Sequence, residues 1–185
     1  MRVIAGRYGG RHLKVPPGRD TRPTGERVRE ALFSVLGAAV VDARVADLFA
    51  GTGALGLEAL SRGAASVDFY ENGRQAAVVL RSNMAALGLG AEARLITATL
   101  PRGVGPGPSW DLVLLDPPWG KQLAEQTVAR VVALGRLAPG ALVVVEERAG
   151  AHPDAAFWAT LGLALEDART YGDTALQLLR WPASP

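Results

Sequence analysis

Three short clusters in this 185-residue chain carry side chains that can do chemistry together. Asp116-Pro117-Pro118-Trp119 follows the apolar run Leu112 to Leu115. Gly51, Gly53 and Gly56 lie in DLFAGTGALG, with Asp47 four residues ahead of the first glycine. Glu71 closes another apolar run. An acid, two prolines and an aromatic are more than a buried strand needs in order to stop. Prolines fix φ and carry no N–H, so the carbonyls before and between them can be held facing a cleft. A carboxylate and a carbonyl placed there can accept both N–H bonds of a planar exocyclic amine on a nucleobase. They would turn its lone pair toward an electrophile and stabilise the charge that grows on nitrogen. Trp119 offers a flat face on which to stack the base, which must first leave its helix or loop. The competing reading is a strand-ending turn with Trp119 in the core.

The glycine spacing G-x-G-x-x-G lets a backbone turn tightly and approach a ligand at a helix N-terminus. Alone it fits a nicotinamide or flavin site as well as a nucleoside site, or simple packing. Asp47 discriminates. A carboxylate beside the loop repels a pyrophosphate but suits the ammonium and sulfonium of S-adenosylmethionine. Glu71 stands 18 residues after Gly53, where an acid can accept hydrogen bonds from two ribose hydroxyls, a feature shared with NAD enzymes. The order Asp47, glycine loop, Glu71 and DPPW favours amine methylation over hydride transfer.

The elements that must position these groups alternate. The pattern predicts strands over 45–49, 66–71, 93–97, 111–115 and 141–146, with helices over 55–62, 74–87 and 123–137 between them. That is a mostly parallel sheet covered on both faces. The runs 164–171 and 175–181, joined by Gly172-Asp173, predict a closing antiparallel hairpin. Ahead of the sheet, 2–8 and 11–15 read as a small β-hairpin turning at Gly9-Gly10. Thr24 is placed to N-cap a helix over 25–36, which Gly37 ends. The expected fold class is thus α/β, a Rossmann-like methyltransferase sheet with a C-terminal antiparallel hairpin and a small N-terminal β-hairpin and helix. Residues 1–37 form the extension and 38–185 the methyltransferase domain.

Charge divides along the same boundary. Residues 1–36 hold eight basic and three acidic side chains, a balance of +5, while the rest of the chain carries −3. An arm that meets a polyanion is the reading this favours over surface solubility alone. There is no cysteine and only His12 and His152, so a thiol nucleophile is excluded and a metal site is not expected. No apolar run is long enough for a membrane span, and a cytoplasmic location is expected.

The chain resembles the RsmD family of bacterial 16S ribosomal RNA guanine-N2 methyltransferases. The likeness runs through MRVIAGRYGGRHLKVP, TRPTGERVREALFSVL, DLFAGTGALGLEALSRGA, VDFYE, LLDPPW and YGDTAL. It implies methyl transfer from S-adenosylmethionine to the N2 amine of one guanine in 16S rRNA, within a small subunit or an assembly intermediate, by a monomer without metal. Position by position it implies that Asp47, Phe49, Ala50, Gly51, Thr52 and Gly53 face the methionine part and sulfonium, and Glu71 with Asn72 the ribose. Asp116, Pro117, Pro118 and Trp119 would hold the target amine and base. Arg22, Thr24 and Arg27 would border donor and base, and Arg2, Arg7, Arg11, Lys14, Arg22, Arg27 and Lys121 would meet RNA. For Arg27 and Arg29 an exposed helix face paired with Glu26 and Glu30 is the alternative. Relatives often carry an acid or amide after the third strand for the adenine amine. Here ITATLPRG offers only Ala98, Thr99 and their neighbours. Adenine-N6 methylation of DNA or RNA, glutamine methylation, a nicotinamide oxidoreductase and a noncatalytic RNA-binding protein are the rival readings.

Overall fold

The computed structural model describes residues 1–16 and 23–183, with side chains from Gly25 onward in the second stretch. Seven strands form one sheet in the order β3-β2-β1-β4-β5-β7-β6. They are β1 (Arg44–Leu48), β2 (Ser66–Tyr70), β3 (Ala93–Ile96), β4 (Trp110–Leu115), β5 (Leu137–Arg148), β6 (Ala164–Tyr171) and β7 (Thr174–Arg180). Strands β1 to β5 are mutually parallel, and β7 inserts antiparallel between β5 and β6. Strand order therefore reverses between β1 and β4. At that point a crevice opens beyond the carboxyl ends of the strands.

Helices α1 (Pro23–Leu36), α2 (Ala54–Ser61), α3 (Arg74–Ala86), α4 (Leu123–Ala133) and α5 (Ala155–Thr160) cover the sheet. Side-chain alternation divides the core between its faces. Leu112, Leu114, Leu142 and Val144 pack with Val28, Leu32 and Phe33 of α1. Val113, Leu115, Val143 and Val145 pack with Val128 and Val131 of α4 and with Trp158 of α5. The central strands β4 and β5 are thus apolar on both faces, as buried parallel strands require.

Three expectations need correction. Helix α1 begins at Pro23, so Thr24 lies inside its first turn and does not cap it; proline suits that opening position because its missing N–H is one a helix leaves unpaired anyway. Helix α4 stops at Ala133. Gly135 (φ 62°) donates its N–H to Val132 O and Arg136 donates to Val131 O, a left-handed glycine closure that frees Leu137 to start β5. The N-terminal hairpin is reduced to a single antiparallel bridge, Arg2 to His12. Val3 N donates to Arg11 O, Gly10 N to Val3 O and Leu13 N to Met1 O across it, but the segment between bonds elsewhere: Ile4 and Ala5 donate to the Glu58 carboxylate, Arg7 to Ser61 O and Tyr8 to Ser61 Oγ. The arm is therefore laid on α2. Gly6 (φ +80°) permits this approach, since a Cβ there would stand 1.9 Å from Ser61 O.

Candidate active site

The crevice is a cleft of about 910 Å³ whose wall includes Gly51, Thr52, Glu71, Asn72, Asp116 and Pro117. Each wall group is placed by a strand end. Leu48 of β1 pairs in register with Leu115 of β4 and with Tyr70 of β2, so the chain leaves three neighbouring strands at one level. The glycine loop follows β1, Glu71 follows β2, and Asp116 follows β4.

The loop turns through Phe49 (φ 69°), Gly51 (φ 56°) and Gly53 (φ 84°) into α2. Side-chain carboxylates fix its shape from two sides. Glu71 accepts from Gly51 N at 2.7 Å and from Gly73 N, so it ties the loop to the start of α3. Asp47 accepts from Gly56 N at 2.8 Å. The third glycine serves helix–strand contact, because a Cβ on Gly56 would meet Phe69 at 2.3 Å.

Asp47 is 1% exposed. Burial pushes its carboxyl up to about 7 against the Gly56 hydrogen bond, and the negative charges of Asp116 and Glu71 push the same way. The structure puts it beneath the loop, behind the cleft wall, so any influence on a ligand is electrostatic and transmitted through the turn. Phe49 and Ala50 are in the wall; Gly53 is buried behind it.

At the β4 side, Pro117 is buried, while Asp116, Pro118 and Trp119 are exposed. Trp119 is 36% exposed, which removes the reading of DPPW as a turn anchored by a core tryptophan. Lys121 is exposed just beyond it. Ala98 and Thr99 are not in the cleft wall, but Thr99 Oγ1 and Asn72 Nδ2 stand 3.3 Å apart as a hydrogen bond to a residue that is. Among the described residues no group of acids and histidines is arranged to hold a metal.

The arm reaches this cleft directly. Val15 and Pro16 line it. Asn83 on α3 accepts from Lys14 N at 2.8 Å and donates to Lys14 O and to Thr52 O, both at 3.1 Å. One buried amide thus joins the arm to the glycine loop. Of the expected RNA contacts, Arg7, Arg11, Lys14 and Arg27 are exposed. Arg2 is ion-paired with Glu26 at 3.3 Å. Arg22 lies outside the described residues, as does the Thr24 side chain. Arg29 is not on an exposed face paired with Glu26 and Glu30: it is 5% exposed, its guanidinium donating to Arg2 O and lying 3.8 Å from Glu58. Burial works against this charge and lowers its pKa, with Glu58 foremost among the groups that offset the loss of water.

Sequence reasoning passed over Glu58, Ser61, Asn83 and Glu146. Helix α2 is buried all round from Gly56 to Ser61, so a glutamate in it was a visible anomaly, explained now by the four donors and cations it gathers. Glu146 ends the apolar run of β5 as Asp116 ends that of β4, a parallel legible in the chain.

The family described as Conserved hypothetical protein 95 matches residues 1–180. Ribosomal RNA small subunit methyltransferase D of Escherichia coli K12 is 42% identical over 147 residues, 79% of this chain and 74% of that protein. The solved structure of the Escherichia coli protein yhhF is 36% identical with a TM-score of 0.88, covering 100% of this chain and 99% of that one. A Thermus thermophilus 16S rRNA N2 G1207 methyltransferase, solved with AdoMet and guanosine, shares the fold at 20% identity and TM-score 0.71, over 90% of this chain and 45% of its own.

Proposed function

From the premise that the chain belongs to the RsmD family of ribosomal RNA small subunit methyltransferases, we propose that it transfers a methyl group from S-adenosylmethionine to the exocyclic N2 amine of a guanine in 16S rRNA. The observation that carries this reading is the shared cleft. Asp116 and Pro117 line the same wall as Gly51 and Glu71, at the reversal of strand order.

The cleft fits the donor. Glu71 and Asp116 bring two carboxylates to its wall and Asp47 a third behind it, and after burial it is repulsion by the charges of Asp116 and Glu71 that raises the Asp47 pKa. A cationic ligand relieves that repulsion, and a pyrophosphate adds to it. When bound, S-adenosylmethionine supplies an electrophilic methyl group on a sulfonium.

The chain's own residues do the rest. Glu71 is anchored by two backbone donors, and its remaining lone pairs face ribose hydroxyls. Gly51 and Thr52 shape the wall that would receive the methionine part, and Asn72, held by Thr99, would border the adenine. The Asp116 carboxylate and the Pro117 carbonyl accept the two amine N–H bonds, which orients the lone pair and spreads the charge that develops on nitrogen. Trp119 stacks the flipped base. Residues 1–37 carry the cationic arm that meets phosphates, through Arg7, Arg11, Lys14 and Arg27, with exposed Lys121 just beyond the DPPW segment.

The test is transfer of labelled methyl groups to unmodified small subunits, naked 16S rRNA and duplex DNA, followed by digestion to nucleosides. Label in N2-methylguanosine is expected; label in N6-methyladenine would overturn the substrate assignment. Asp116→Ala should lower turnover by at least about 100-fold, the scale of losing a charge-stabilising group, while donor affinity stays within about threefold. Unchanged turnover would remove the carboxylate from the reaction.

A further inference from the structure

Beyond Asp116 a second acid stands at the same level of the sheet. Strands β4 and β5 pair in parallel with Leu115 opposite Val145, so the next residue on each, Asp116 and Glu146, face one another across a strand spacing of about 4.8 Å. Their sides also agree. Leu114 and Val144 belong to the core that contains α1, while Leu115 and Val145 belong to the other. Alternation then points Asp116 and Glu146 to the α1 face, which is also the face of Asp47, two residues after Val45. The carboxyl ends of β4 and β5 thus present Asp116 and Glu146 side by side, and Asp47 extends the row to β1 one step lower, opposite Leu114. The donor cleft lies at the β1 end of this row and Glu146 at the other.

We infer that Glu146 is a specificity-determining residue that accepts the N1–H of the target guanine beside Asp116, and so selects guanine over adenine. The inference rests on the proposed transfer to a guanine amine. With the amine held at Asp116 and facing the donor, the base extends away from β1 toward β5. On guanine the group next to the N2 amine is N1–H, a donor. On adenine the group next to the N6 amine is a bare N1, an acceptor, whose lone pair would face a carboxylate. Flipped bases are read along this edge, and a site built to receive an N–H rejects analogues lacking it strongly.

Glu146 is otherwise hard to explain. The groups that set its state are burial first, then the Asp116 charge, which together push it up to about 8, with the Arg29 guanidinium of α1 pulling against them. A leucine or valine would continue the apolar run of β5 without that conflict. One amine N–H at Asp116 and the N1–H at Glu146 give each of the two neighbouring carboxylates a donor that favours its charge.

The experiment first maps the wild-type product on unmodified small subunits. It then uses subunits reconstituted with 16S rRNA carrying 2-aminopurine at the mapped position, a base with the same N2 amine and a bare N1. At pH 8.5 the wild-type protein should prefer guanine by at least about 100-fold in kcat/KM. Glu146→Gln, whose amide can donate to a bare N1, should narrow that gap to under about tenfold, while Glu146→Asp retains a preference for guanine. Donor titration of each variant, expected within about threefold of wild type, shows that the site is intact. A wild-type protein indifferent to the two bases, or a glutamine variant that keeps the full preference or loses both substrates equally, overturns the inference. Absence of any label on guanine N2 in the wild type would overturn the proposed function with it; label on guanine with an unaltered gap would overturn this inference alone.

Discussion

Asp47 shows how one side chain can be costly to the fold and useful to the site. Its pKa is raised from 3.8 to about 7, first by burial. Between those values the native state holds a proton that the unfolded chain has lost, so stability falls as pH rises through that window. Asp47→Asn keeps an acceptor for Gly56 N without the charge. It should therefore exceed wild type in unfolding free energy above pH 7, by up to about 4 kcal/mol at about 1.36 kcal/mol per unit, and lose that advantage below pH 4. Urea titrations of both proteins from pH 4 to pH 8 test this, and a pH-independent difference would show that Asp47 does not titrate in this range. A cation in the cleft acts in the opposite sense, favouring the ionised carboxylate, so donor binding should take up part of the conflict that the empty fold carries.

Among the elements, the N-terminal arm is the part least legible from sequence. Alternation and glycine spacing were enough to place β1, β2, β3 and β4 to within a residue or two, because each needs only apolar periodicity. The C-terminal hairpin was equally plain, since β6 and β7 are separated only by Gly172-Asp173. The arm follows no such rule. Beside its short-range bonds, its Ile4, Ala5, Arg7 and Tyr8 N–H groups find Glu58 and Ser61, more than fifty residues away, and no local pattern announces a pairing of that kind. Site residues divide in the same way. Asp116, Glu71 and the glycines are legible through their order, whereas Asn83 and Glu146 acquire meaning only when α3 meets the arm and β5 meets β4. Two substitutions test the arm's attachment. Gly6→Ala places a Cβ against Ser61 O at a positive φ and should destabilise the protein by about 2 kcal/mol or more, read as a lowered Tm. Asn83→Ala removes three hydrogen bonds at a buried position. It should cost about 1–3 kcal/mol and weaken donor binding, because Thr52 loses its tether. Donor affinity equal to wild type would show that the arm and the glycine loop are independent.

At the scale of the molecule, the cationic character of the first 36 residues survives folding only in part. Arg2 is paired with Glu26 and Arg29 is buried beside Glu58. Arg11 and Lys14, by contrast, bond to the neutral Ala86 O and Ser82 Oγ, and Arg7 leans on the Tyr8 ring, so these three charges have no ion-pair partner among the described residues. Neutralising Arg7, Arg11 and Lys14 together should weaken RNA binding and lower the slope of log affinity against log salt by about 2–3, near 0.7–0.9 per lost phosphate contact. An unaltered slope would place the phosphates elsewhere.

The docking of the arm on α2 and α3 also fixes an order of events during synthesis. Ile4 waits for Glu58, 54 residues later, and Lys14 for Asn83, 69 residues later, while β1 cannot complete its pairing until β4 has been made. The most basic stretch thus completes its docking only once segments more than fifty residues further along the chain are in place. Long-range pairings of this kind slow folding, and a refolding experiment should find the arm's amide protons protected only after those of the central strands.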